Sequence, residues 1–220
     1  MKQLWRNILI SALTLAAINL PAAIPAQTTL AIRGGLSRAT LSGVPTEGVP
    51  ESALKARTGI SLGASATIPV QENLGLRLDG GYVQKGYRAE TQGLEGNLYI
   101  DYIELSGLGS VNLTPSGSSA TAKLLVGPSF AFKTGCETSA TISLGGETRN
   151  VSESCGEDVK SIDLGLTGGI GAEIAVSEQM TLAVDLRYTL GLLSIDETGG
   201  DDVKNRNLTL QVGVGFPIGE

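Results

Sequence analysis

The chain has 220 residues, 16 Lys+Arg against 22 Asp+Glu, 30 glycines, two cysteines and no histidine. Without histidine there is no usual general base at neutral pH, no imidazole for a Ser or Cys triad and none of the commonest zinc ligand, so classical hydrolases and His-ligated metal enzymes are excluded. A net charge of −6 gives no broad cationic surface for phosphates, which argues against nucleic acid, and a glycine content about twice ordinary usage with only 8 prolines points to crowded strands.

The first segment reads as an address. Lys2 and Arg6 precede an uncharged apolar stretch from Ile8 to Leu20, followed by Pro21-Ala22-Ala23-Ile24-Pro25-Ala26 and polar Gln27. That order is a secretory signal peptide over 1–26, and its apolar stretch falls short of the roughly 20 residues that span a bilayer. Cleavage after Ala26 leaves 27–220 as a single domain. Loss of Lys2 and Arg6 leaves 14 basic groups against 22 acidic ones, a net of −8.

From there apolar residues recur at every second position, the strand period. The first run sets Leu30, Ile32 and Leu36 against Ala31, Arg33, Gly35 and Ser37. The second sets Ile60, Leu62, Ala64, Ala66 and Ile68 against Gly59, Ser61, Gly63, Ser65 and Thr67. In the third, Leu74, Leu76, Leu78 and Tyr82 oppose Gly75, Arg77, Asp79, Gly81 and Lys85. The fourth, Tyr99 to Leu113, changes parity near Asp101-Tyr102-Ile103, as a bulge would make it do. The fifth has Leu124, Val126, Phe130 and Phe132 opposite Thr121, Lys123, Gly127 and Ser129. The sixth runs from Ile162 to Ile174 opposite Asp163, Gly165, Thr167, Gly169, Gly171 and Glu173. The seventh sets Leu182, Val184, Leu186, Tyr188 and Leu190 against Asp185, Arg187 and Thr189, and the eighth, Leu208 to Ile218, faces Asn207, Thr209, Gln211, Gly213 and Gly215.

Short connections at 69–73, 114–118 and 177–179 alternate with long ones at roughly 42–56, 88–97, 134–158 and 195–205. Eight runs joined this way predict an all-β fold, an eight-stranded antiparallel up-and-down transmembrane β-barrel with both termini on the short-turn side. A soluble periplasmic lipocalin-like barrel binding an apolar ligand shares the alternation and is the alternative. Face content separates the two. A water-facing wall should be rich in Lys, Glu and Thr throughout, whereas the polar face here is mostly Gly, Ser, Thr and Ala with isolated charges, which suits the narrow lumen of an eight-stranded barrel.

Ten charges fall on the face assigned to the lumen: Arg33, Arg77, Lys85, Lys123 and Arg187 against Asp79, Glu104, Asp163, Glu173 and Asp185. Five of each sign predict an interior ion-pair network that fills the lumen; a proton or ion path is the competing use. The residual acidic surplus is expected in loops, turns and ends. Cys136 and Cys155, exported to an oxidising compartment, are expected to form one disulfide worth roughly 3 kcal/mol of loop entropy, with free thiols or a two-Cys metal site as alternatives. Asp196, Glu197, Asp201 and Asp202 crowd the last long connection, but their spacing is not the twelve-residue Ca²⁺ loop, and a solvated acidic loop is expected. Gly165 to Gly171 is glycine-rich yet opens no helix, so no phosphate cradle and no cofactor are expected.

The stretches Gly80-Gly-Tyr-Val-Gln-Lys-Gly86, Tyr102-Ile-Glu-Leu-Ser-Gly-Leu108, Leu125-Val-Gly-Pro-Ser-Phe130 and the closing Leu208-to-Phe216 run resemble the outer-membrane β-barrel family labelled porin-family or PorT-like, akin in architecture to small OmpA- and OmpX-type barrels. The chain departs from that family in carrying Ser106 where proline is usual and in ending Phe216-Pro-Ile-Gly-Glu220 instead of on an aromatic residue. The resemblance implies fold and an outer-membrane location in a Gram-negative-type bacterium, and no enzymatic activity. The expected partners are outer-membrane lipids, the barrel-assembly machinery during insertion and a surface partner at the external loops, with the disulfide-tied third loop the foremost contact surface. The expected role is structural or adhesive.

Overall fold

The computed structural model describes residues 28–44, 54–91, 94–115, 118–144, 147–155, 158–197 and 202–218, so the signal segment 1–26 lies outside the described residues. Nine strands are present: β1 Thr28–Ser42, β2 Leu54–Gln71, β3 Leu74–Thr91, β4 Leu94–Asn112, β5 Ala120–Leu144, β6 Glu147–Ser154, β7 Ile162–Ser177, β8 Met180–Gly191 and β9 Lys204–Ile218. Eight of them close a ring in the order β1-β2-β3-β4-β5-β7-β8-β9, with β9 returning to β1 from Thr28↔Ile218 to Ser42↔Lys204 and every pair antiparallel. Closure satisfies the backbone of each wall strand without water, which a sheet in hydrocarbon requires.

The side chains are sorted opposite to a water-soluble protein. Ile32, Leu36, Ile60, Leu62, Ile170, Val212 and Leu210 point outward and are exposed, and Ile32 shows 71% of its surface. Arg33, Arg77, Lys85, Asp163, Asp185 and Arg187 are buried inside the ring. Such an inversion is stable only when hydrocarbon surrounds the barrel, because the alternating pattern then buries its apolar half in lipid.

Glycine lets the wall coil tightly at particular points. A Cβ on Gly35 would stand 1.9 Å from the Leu210 carbonyl oxygen, and one on Gly127 would stand 2.0 Å from that of Gly107.

Two of the four expected long loops are strand instead. β3 continues to Thr91 and β4 begins at Leu94, so the 88–97 connection is a tight hairpin paired up to Thr91↔Leu94. The third expected loop, 134–158, is the upper half of β5 and the whole of β6, paired from Glu137↔Ser154 to Leu144↔Glu147. Threonine and serine at alternate positions, with Ala140 and Val151 among them, fit a pleated two-faced surface. Their low hydrophobicity makes them read as loop when apolar periodicity is the only guide. Because β4 also pairs β5 up to Leu94↔Ile142, the strands β3 to β6 form one sheet that rises above the rest of the rim.

The fourth run carries no bulge of its own: β4 pairs β3 without a register shift, and its apolar residues change face because Ile100 and Tyr102 point inward while Ile103 and Leu105 point outward. The β4–β5 ladder is irregular at the same height, where Asp101 faces Gly135 and Tyr102 faces Lys133. The extra residue is Thr134 on β5, whose hydroxyl donates to the Asp101 carbonyl at 3.2 Å.

Candidate functional site

Alternation carries every second side chain of each wall strand into the lumen, and the ten charges expected there all point inward. The structure links them into two groups. In the larger group Lys123 reaches Glu173 at 2.6 Å, Glu173 lies 3.8 Å from Arg33, and Arg33 binds Asp185 at 2.6 Å. Asp185 is shared with Arg77 at 2.8 Å; Arg77 in turn holds Asp79 at 2.8 Å, and Asp79 is 3.5 Å from Arg187. Four cations and three carboxylates leave this group one positive charge in excess. Toward the external end, Lys85 sits between Glu104 at 2.9 Å and Asp163 at 3.3 Å, a group one negative charge in excess. The two imbalances cancel, so these ten charges together are neutral, which limits the desolvation cost of burying them.

Neutral polar side chains complete the network and were not singled out by sequence reasoning. Asn205 donates to Asp163 at 2.9 Å, Arg33 Nε donates to the Ser65 hydroxyl at 2.9 Å, and Gln211 bonds both Arg187 and the Ser61 hydroxyl. Their signal was available: Asn207, Thr209 and Gln211 occupy the inner parity of the last run, which carries no formal charge. Fully buried Leu108 and Leu125 also face inward. The run Leu124-Leu125-Val126, apolar on both parities, was the clue to them.

The space left among these side chains is small. A void of about 30 Å³ lies beside Arg33, Ser61, Asp79, Glu104, Arg187 and Gln211. A water needs roughly 10–15 Å³ of such space, so this void of about 30 Å³ holds two or three waters at most. A bound organic ligand needs roughly ten times more, so the space beside these side chains does not hold one. At the turn end a cavity of about 210 Å³, bordered by Thr29, Thr67, Ser110, Asn112 and Lys123, opens below the network.

The external mouth is capped by an apolar layer. Ile195, from the connection after β8, is buried against Val83, Ile100, Tyr102 and Ala131, with Leu41, Leu98, Val159 and Val203 around it. Backbone bonds fix it there: Lys160 N–H donates to the Ile195 carbonyl at 2.7 Å and Ile195 N–H to the Val203 carbonyl at 2.7 Å. Val159 and Asp196 form an isolated bridge across the same mouth. Tyr102 therefore belongs to the plug, where its ring lies 5.0 Å from the Lys85 ammonium, and not to an outer aromatic girdle. Of the acidic cluster, Asp196, Glu197 and Asp202 are placed and Asp201 lies outside the described residues; no metal-holding group of His, Cys, Asp or Glu occurs among the described residues.

The raised sheet is the second feature. Cys136 and Cys155 are joined by a disulfide across the base of the β5–β6 hairpin, with Cα atoms 5.3 Å apart. The remaining charges are not confined to loops: on the raised wall Arg88 bridges Glu90 at 2.8 Å and Glu95 at 2.6 Å, and Lys55 pairs with Glu90. The Lys55 hydrogen bond, aided by Arg88, holds the Glu90 carboxyl below its ordinary pKa. Arg57 lies 3.8 Å over the Tyr99 ring at the same height in the wall.

No curated protein matches the sequence. Among solved structures, the chain is similar to the attachment invasion locus protein Ail of Yersinia pestis (14% identity, 86% of this chain and 99% of that one, TM-score 0.43). It is similar to Neisserial surface protein A (18%, 86% and 97%, TM-score 0.45) and to a major outer membrane protein of Thermus thermophilus (14%, 87% and 99%, TM-score 0.47). The family described as outer membrane protein beta-barrel domain matches residues 26–197. With the closed ring, its lipid-facing apolar wall and that match, the chain belongs to the outer-membrane β-barrel family and resides in the outer membrane of a Gram-negative bacterium.

Proposed function

We propose that this protein is a non-enzymatic surface protein whose barrel is a filled anchor and whose working part is the external sheet of β3 to β6. The observation that carries the reading is the disulfide-based β5–β6 hairpin, which stands above the rim with Thr148 to Ser154 exposed. A lumen filled by paired charges and capped by Ile195 supports anchoring over transport, since an ion crossing it would have to break that paired network beside a void the size of two or three waters. Residues 1–26 serve as the export signal, removed before the barrel-assembly machinery inserts the mature chain into outer-membrane lipid.

The test replaces Thr138–Glu153 with a two-residue turn, leaving the disulfide and the ring intact. Cells carrying this variant are expected to lose adherence to surfaces while the barrel keeps its heat-modifiable gel migration. Unchanged adherence would overturn the surface role. Purified protein in a planar bilayer is expected to show no steady conductance, and a large steady current would overturn the filled-anchor part.

A further inference from the structure

Among the described strands, β6 alone pairs on one side only: the sheet order ends at β6, while every other strand has two neighbours. Free edges are usually blunted by proline, by charged side chains such as lysine, by a bulge or by a very short strand. β6 has no proline or lysine, and its ladder with β5 runs without a register shift from Glu137↔Ser154 to Leu144↔Glu147. Residues Thr148 to Ser154 are all exposed, and Val151 shows 47% of its surface.

The sequence of this edge is complementary to itself. Laid antiparallel to a second copy about Val151, β6 brings Arg149 opposite Glu153 of the copy and Glu153 opposite its Arg149, with Val151 facing Val151. All three share one parity and hence one face of the sheet. On the other face Asn150 meets Ser152, a neutral hydrogen-bonding pair. Among the described residues neither Arg149 nor Glu153 is engaged in an ion pair within its own chain. Opposite charges and β-branched residues directly across a ladder are the pairs that favour strand association.

We infer that β6 is a docking edge for a second copy of this same protein, held in a facing membrane. The membrane placement follows from symmetry. Two antiparallel strands of one sheet are related by a two-fold axis along the sheet normal. In a barrel wall that normal is radial and lies in the membrane plane, so the rotation turns the second barrel upside down. Two copies side by side in one membrane present β6 in the same sense and cannot form this ladder. Reach is sufficient. From Phe132, the last β5 residue paired to β7, to Leu144 is twelve residues, or about 40 Å along the strand, which at a tilt of about 40° rises roughly 30 Å above the rim.

The inference rests on the surface role and names its partner. The full chain is expressed in a Gram-negative host with truncated lipopolysaccharide, and cell clustering is read by two-colour microscopy and settling rate. Wild-type cells are expected to cluster; Arg149→Glu cells alone and Glu153→Arg cells alone are each expected to fall to the level of cells lacking the protein. In a mixture of the two strains, each charge-reversed position meets an opposite charge on the other variant, so both pairs across the contact are restored. The mixture is therefore expected to recover most of the clustering, in mixed-colour clumps. Heat-modifiable migration of each variant controls for folding. Dispersed wild-type cells, single variants that cluster like wild type, or a mixture that stays dispersed would each overturn self-pairing. Adherence of the same strains to other surfaces is scored in parallel, so that adhesion without clustering overturns the copy as partner and leaves the surface role standing.

Discussion

Asp185 is the residue on which the lumen network turns, and Asp185→Asn tests the electrostatic account directly. One carboxylate oxygen faces Arg33 at 2.6 Å and Arg77 at 2.8 Å, and all three side chains are no more than 3% exposed. Removing one partner of a buried ion pair costs about 3–5 kcal/mol, because the other charge is left without compensation. Here Arg77 keeps Asp79 at 2.8 Å and Arg33 keeps Glu173 at 3.8 Å, so the lower end applies. About 3 kcal/mol corresponds to roughly a 160-fold loss in the folding equilibrium constant. Urea unfolding of the protein in lipid vesicles, read by loss of the compact gel form, measures it. Adding Arg33→Met should recover part of the loss, since the double variant has one fewer unpaired cation. A cost of Asp185→Asn below about 1 kcal/mol would refute the reasoning and show a lumen wet enough to screen its charges.

Three further outcomes are expected. Gly127→Val places a side chain where even a Cβ would sit 2.0 Å from the Gly107 carbonyl oxygen, so its folded yield in vesicles should drop sharply, with any folded fraction destabilised by about 1–3 kcal/mol or more. Ile195→Asp should loosen the cap over Val83, Ile100 and Tyr102, raising the rate of protease cleavage within 192–203 several-fold while the ring remains closed. Trypsin added to intact cells should cut after exposed Arg149; because Cys136 and Cys155 flank that site, the two pieces should separate on a gel only after reduction.

Alternation and charge balance made the ring legible. A period of two needs no tertiary information, since successive side chains of a strand point to opposite faces whatever the neighbours are. Arg33, Arg77, Asp79, Lys85 and Asp185 could therefore be assigned to one interior from parity alone. Their pairing could not. Asp185 is 152 residues from Arg33 and reaches it only because ring closure sets β1 and β8 on either side of β9, where both side chains meet on the inner face. The same holds for Ile195, an ordinary loop residue in sequence that becomes the stopper of the mouth once β3, β4 and β5 present Val83, Ile100, Tyr102 and Ala131 to it. In the stretch 134–158 the apolar signal is weak, and strand formation there depends on the neighbouring β4 offering an edge from Ile100 to Leu94.

The sequence by itself determined that the wall is two-faced, that the polar face is small and charge-balanced, that both cysteines bracket one external segment and that histidine chemistry is excluded. Only the tertiary structure decided that the bracketed segment is a sheet with an open edge, that the charges form two groups of opposite excess and that the mouth is closed. The physical reason is the range of the forces. Side-chain parity and glycine content act within a few residues, whereas the closing β1–β9 ladder, the Arg33–Asp185 pair 152 residues apart and the seating of Ile195 on Val83 and Ile100 depend on distant segments being brought together by closure of the ring.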